Sequence, residues 1–171
     1  MTLNVMLDAS ALRDLHQYGM LARMEHSGLL VSTTTFAFRN AFLPQANAEP
    51  YSFIQQLQPD DHQYLQMLRL NRQYTSTILT DCSVLIMAGH CGCTLITSDL
   101  TVRKIASETG IKVLPYFDLF GHMVYTGIVS LTTATDCYYE IMRSSGKMTG
   151  FDPPEKLPAE LWPATYKSSI A

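Results

Sequence analysis

Between Ser76 and Leu114 the chain alternates helix, strand, helix and strand, and this alternation constrains the fold more than any other feature. Thr80-Asp81 opens a helix whose apolar side carries Val84, Leu85, Met87 and Ala88, and Gly89 to Gly92 closes it. Thr94-Leu95-Ile96-Thr97 then reads as a continuous strand of the kind buried on both faces of a parallel sheet. Asp99 follows, then a helix from Thr101 to Glu108, a stop at Gly110 and a strand over Ile111–Leu114. The N-terminal third fits the same scheme. Leu3–Leu7 is a short strand ending at Asp8, and from Ala11 the residues Leu12, Leu15, Tyr18 and Met20/Leu21 recur at helical steps. Leu29–Ser32 is a second strand, and Thr33-Thr34-Thr35 leads into a helix at Phe36. The expected fold class is α/β, with three α/β/α layers around a mostly parallel sheet.

The remaining segments add helices. Pro44 to Pro50 reads as a loop, Tyr51–Leu57 as a helix, and Asp60-Asp61 as the capped start of another that carries Leu65, Met67, Leu68 and Leu70. Two more helices fit Phe117–Tyr125 and Thr133–Arg143, with Gly127 between them. After Gly150 come Pro153, Pro154, Pro158 and Pro163, which give an extended tail that Trp162 anchors. The domain is therefore drawn over 1–150, with a Pro-rich tail at 151–171.

A length of 171 residues suits one domain with its own core. Apolar residues at 47% and charged residues at 16% exclude intrinsic disorder. No apolar run reaches the roughly 18–20 residues of a membrane span, and MTLNVMLDAS lacks a basic region or a cleavage site, so a cytoplasmic location is expected. Twelve Lys/Arg against fifteen Asp/Glu leave a net charge of −3 with no basic arm. That excludes a broad electrostatic footprint on nucleic acid and leaves room for a local basic rim. Cys82, Cys91, Cys93 and Cys137 match neither a disulfide framework nor a zinc knuckle, and read as buried free thiols. His16, His26, His62, His90 and His122 form no metal pair at helical spacing, and Tyr138-Tyr139 suits packing of a C-terminal helix.

Three aspartates share one context. Asp8 and Asp99 directly follow strands, and Asp81 sits at a helix start. Each alone suits a helix cap. Together they fall at the carboxyl edge of the sheet, where α/β proteins bind ligands. Carboxylates gathered there repel one another unless a cation neutralises them, and hard oxygen donors suit Mg²⁺ or Mn²⁺.

The residues around these acids resemble the PIN-domain nucleases. Val5-Met6-Leu7-Asp8-Ala9-Ser10-Ala11-Leu12 is similar to that family's opening motif, and Leu79-Thr80-Asp81-Cys82-Ser83-Val84-Leu85 to its third-acid helix. Leu95-Ile96-Thr97-Ser98-Asp99, with Val102–Ala106 and Gly110–Leu114, is similar to its fourth-acid segment. The likeness spans about residues 3–114, and the part beyond is more loosely similar to a subgroup with two extra helices. The resemblance implies a PIN-like fold and a metal-dependent endoribonuclease, often the toxin of a bacterial toxin–antitoxin pair. It implies that Asp8, Asp81 and Asp99 hold Mg²⁺ or Mn²⁺, that Ser10 and Thr97 support the site, and that Arg13, Arg39, Arg103 and Lys104 face the RNA backbone. A small antitoxin and a second copy of the chain in a homodimer are the partners it implies.

The chain departs from that pattern at one place. Members of the family carry a second acid on the helix after the second strand, and here Thr35-Phe36-Ala37-Phe38-Arg39-Asn40-Ala41-Phe42 contains none. Ala37 or Phe38 stands where it would fall. Three carboxylates are enough for one Mg²⁺, which takes few protein ligands, but hold it more weakly. The alternative reading is a PIN fold with impaired catalysis that binds RNA or protein.

Overall fold

A computed structural model describes residues 3–42 and 51–144. The Pro44–Pro50 loop, the boundary drawn at Gly150, and the Pro-rich tail with Trp162 all lie outside the described residues. The chain divides into two compact units, Met1–Leu114 and Pro115–Ala171.

The first unit is built on four parallel strands: β1 (Asn4–Leu7), β2 (Leu30–Thr34), β3 (Gln55–Leu57) and β4 (Thr94–Ile96). They lie in the order β3-β2-β1-β4. Val5 of β1 pairs with Val31 on one side and with Thr94 on the other. β1 is thus a central strand, and Val5, Met6 and Leu7 are all fully buried. Its unbroken apolar run is the signature of a strand covered on both faces.

The helices are α1 (Ala9–Gln17), α2 (Met20–Arg23), α3 (Thr35–Phe42), α4 (Asp61–Gln73), α5 (Leu79–Cys91) and α6 (Leu100–Glu108). Connections outward from β1 run through α1 and α3, and the return from β3 to β4 and beyond runs through α4, α5 and α6. Helices flank the sheet to make the three α/β/α layers, with α1 packed on α3, α4 on α5, and α3 also meeting α5. α5 packs on β1, β2 and β4 and buries Cys82, Val84, Leu85, Met87 and Ala88. It ends at Gly92, whose φ of 63° is the left-handed conformation that glycine adopts without strain.

Several sequence expectations are corrected. The helix expected through Met20 and Leu21 breaks at Gly19, which takes φ 68°, and restarts as α2. Tyr51–Leu57 is not a helix. Tyr51 and Ile54 close one turn, and Gln55–Leu57 pairs with Ser32–Thr34 as β3. Seven residues are too few to hold a helix unaided, and the open edge of β2 offers their backbone groups partners. The strand expected over Ile111–Leu114 shrinks to one bridge between Leu95 and Val113, held by the bonds Leu95 N–H to Lys112 O and Leu114 N–H to Leu95 O, both 2.8 Å. Of the thiols, Cys82 and Cys93 are buried, Cys137 is partly covered and Cys91 is exposed, because it lies on the last turn of α5.

The second unit holds α7 (Tyr116–Tyr125) and α8 (Leu131–Ser144), packed on each other through a turn at Gly127. Tyr138 meets Phe117 and Phe120 edge-on at 6.2 and 6.4 Å, so this tyrosine serves packing. No helix among the described residues is long and apolar enough to cross a membrane.

Candidate functional site at the carboxyl edge of the sheet

The strand order reverses between β1 and β4, since the chain leaves β1 toward β2 and β3 and returns to the other side. In open parallel sheets that reversal opens a crevice beyond the strand carboxyl ends. Asp8 follows β1 and Asp99 follows β4, so both stand at its mouth. Their strands are direct neighbours, with Leu7 opposite Ile96 and the Asp8 N–H donating to Ile96 O at 3.3 Å.

Each acid is fixed by its own helix start. Asp8 caps α1, its Oδ1 accepting from Ala11 N–H at 2.7 Å. Asp99 caps α6, its Oδ1 accepting from Thr101 N–H at 2.7 Å and Val102 N–H at 3.1 Å. Asp81 lies in the first turn of α5, where Ile78 has no side-chain acceptor, and it takes the Ile78 N–H at 3.3 Å.

Hydroxyls tie the two strand ends together. The Thr97 hydroxyl donates to Asp8 Oδ2 and accepts from the Asp99 N–H at 2.9 Å. Ser10 donates to Asp8 Oδ1 at 2.8 Å, and Ser98 donates to Ser10 at 3.2 Å. One continuous network therefore runs from Ser98 through Ser10, Asp8 and Thr97 to the backbone of Asp99. Ser10 and Thr97, the supporting residues that the resemblance implies, both donate to the Asp8 carboxylate. Ser98, which is 4% exposed, joins the network although the sequence reading gives it no role; its polarity beside Thr97 is the available signal.

Asp8 is 1% exposed. Burial pushes its carboxyl up to about 6, against three hydrogen bonds that favour the ionised form, and Asp81 adds to the push. Burial also raises Asp81, with Asp99 adding repulsion and Arg13 opposing it. The repulsion thus runs through the three acids, with Asp81 acting on Asp8 and Asp99 acting on Asp81. The donor set is entirely carboxylate and hydroxyl oxygen, which suits a hard divalent cation, and positive charge here would relieve the repulsion. Among the described residues no three His, Cys, Asp or Glu side chains form a metal-holding cluster.

The flank formed by α3 is different. Ala37 and Phe38 are buried, and Phe38 packs on Phe42, which stacks on Tyr51. His16 completes this group by bonding Tyr51 through Nδ1. Thr34 joins α3 to α5 through Ser83 at 2.7 Å and bonds the Ala37 N–H at 3.1 Å.

The four basic residues separate. Arg13 is exposed and bound to Asn40, and its charge reaches Asp81. Arg39 is exposed on α3. Arg103 turns inward: Nη2 donates to Thr97 O at 3.3 Å, bracing the end of β4, and Nε is buried without a partner among the described residues. Lys104 is exposed and faces Glu108 at 3.9 Å, one turn along α6. No family model and no curated protein matches the chain.

Proposed function

We propose that the protein is an Mg²⁺- or Mn²⁺-dependent ribonuclease of PIN type, hydrolysing RNA phosphodiester bonds. The observation that carries this reading is Asp8: a carboxyl buried at the carboxyl edge of the sheet, bonded on both oxygens and repelled by Asp81, which Asp99 repels in turn. Asp8, Asp81 and Asp99 would hold the cation. When bound, it supplies an activated water and offsets charge on the phosphodiester in the transition state. Thr97 and Ser10 orient the Asp8 carboxylate, and Thr97 also fixes the backbone at Asp99. The caps at Asp8 and Asp99 anchor both acids to rigid helices, so that little reorganisation accompanies binding. The toxin role, with a small antitoxin and a homodimer, belongs to the same proposal and rests on the resemblance in sequence.

The test is cleavage of RNA by the purified protein with Mn²⁺. Asp8→Asn and Asp99→Asn are expected to abolish it, and robust cleavage surviving both overturns the reading. A second reading has its own observation. Ala37 and Phe38 fill the α3 flank with apolar surface, which favours a PIN-like binding module that has lost catalysis. RNA bound tightly but left intact with Mn²⁺ or Mg²⁺ would select it.

A further inference from the structure

Arg13 lies on α1 five positions after Asp8, and Asn40 lies in the last turn of α3. The two helices pack on each other, and at this contact Arg13 Nη1 donates to Asn40 Oδ1 at 2.9 Å and to Asn40 O at 3.5 Å. A long arginine side chain is costly to immobilise, and two acceptors on one neighbour hold its head in place. Both acceptors are neutral. Among the described residues Arg13 closes no salt bridge, so its charge is oriented without a direct ion-pair partner. The guanidinium has five N–H donors, and Asn40 engages only Nη1.

An acidic crevice in a chain of net charge −3 repels a polyanion. A substrate with a phosphate backbone needs a local foothold beside the acids, and a planar fork with free N–H groups matches a phosphate in two-point geometry. Helix α3, which carries Asn40, packs on α5, which carries Asp81, so that foothold lies on the α5 side of the site. We propose that Arg13 grips a backbone phosphate of RNA beside the three aspartates, and that Asn40 is the positioning residue which aims it. This deepens the ribonuclease reading and rests on it. The residue at position 40 matters for being neutral: an acid there would pair with Arg13 and cancel the charge that binds phosphate.

The test is fluorescence anisotropy of a short end-labelled single-stranded oligoribonucleotide with the full chain in Ca²⁺, together with cleavage in Mn²⁺. Arg13→Ala is expected to weaken binding roughly tenfold, as loss of a charge-assisted contact does. It should also lower the slope of log affinity against log salt by about 0.7, one phosphate contact on a single strand. Arg13→Lys keeps the charge and recovers binding only in part, because an ammonium lacks the fork. Asn40→Ala should weaken binding about threefold with the salt slope retained, since the charge stays and its aim is lost. Asn40→Asp should lower both affinity and slope, by forming the ion pair. Arg72→Ala, which removes a charge on α4, serves as the control. Circular dichroism melts check that each variant folds. Equal binding by Arg13→Ala and Arg72→Ala, in a protein that binds and cleaves RNA, overturns the role of Arg13 and leaves the ribonuclease reading standing. Asn40→Ala indistinguishable from the parent overturns the positioning role. A parent chain that neither binds nor cleaves RNA overturns both.

Discussion

Helices α1 and α4 begin in the same way and live in different surroundings. Asp8 caps α1 with φ −81° and ψ 175°, and Asp60 caps α4 with φ −77° and ψ 176°. Each accepts a backbone N–H three residues on, at 2.7 and 2.8 Å. Asp60 is exposed, and Gln63 returns a bond to its N–H to complete a capping box. Asp8 is buried, its second oxygen is taken by Thr97, and burial holds its carboxyl at about 6. A cap needs one acceptor oxygen, which Asn, Ser or Thr provides as well as Asp. Capping accounts for all that Asp60 does. It does not account for a charge kept in a buried crevice beside two other acids, and that surplus points to a ligand.

The largest expected effect separates the two caps by chemistry. Asp8→Asn keeps an acceptor for α1 and removes the charge, and RNA cleavage should fall by roughly a hundredfold or more, the scale of losing one preorganised electrostatic group. Asp60→Asn should leave the rate unchanged. Initial rates on labelled RNA with Mn²⁺ give both values, and equal losses in the two variants would erase the contrast.

Stability should move the opposite way. A carboxyl raised from 3.8 to about 6 on folding favours the folded state fully below pH 3.8, and that contribution is lost as pH rises through 6. Ionised Asp8 at pH 7 therefore costs on the order of 3 kcal/mol relative to its protonated form. Asp8→Asn should melt higher than the parent at pH 7.5, with the gap closing toward pH 4. The gain falls short of the full figure, because an amide cannot repeat all three hydrogen bonds. Adding Mn²⁺ should raise the melting temperature of the parent at pH 7.5 and leave that of Asp8→Asn in place, as expected for a ligand that binds the folded acid.

Thr97 offers a smaller break in the same comparison, since Asp60 has no counterpart to it. Thr97→Val keeps the shape and deletes the hydroxyl that joins Asp8 to the Asp99 backbone. Leaving buried groups unpaired costs about 1–3 kcal/mol. Loss of this bond also pushes the Asp8 carboxyl further up, because the Thr97 bond lowers it. The pH at which cleavage reaches half its maximum should rise accordingly, and an unchanged profile would remove Thr97 from the site.

The sequence was legible where local rules and the fold agree. β1 and β4 follow from unbroken apolar runs, and Asp8 and Asp99 from acids placed one and three residues after them. β3 was not legible, because Tyr51, Phe53, Ile54 and Leu57 have spacing that suits a helix, and pairing with β2 decides their state. The break at Gly19 hid inside a periodicity that runs straight through it. Within the site, the acids could be named from sequence. Their connections could not, because Thr97 meets Asp8 across 89 positions and Arg13 meets Asn40 across 27. The bond of Arg103 is hidden for a related reason: on an isolated helix it faces solvent, and only the nearby end of β4 gives it the Thr97 carbonyl.

Asp60 supplies the smallest effect and the sharpest control. Asp60→Ala removes the acceptor for the Gln63 N–H and frees the Gln63 side chain, at a cost of about 1 kcal/mol. Mn²⁺ should shift the melting temperature of this variant as it shifts that of the parent. Asp8→Asn should differ on each count: it melts higher at neutral pH, its gain depends on pH, and Mn²⁺ has no effect on it. Thermal melts of both variants at pH 5.5 and pH 7.5, with and without Mn²⁺, put the caps side by side. Matching responses would mean that burial alone, and no ligand, distinguishes Asp8 from an ordinary helix start.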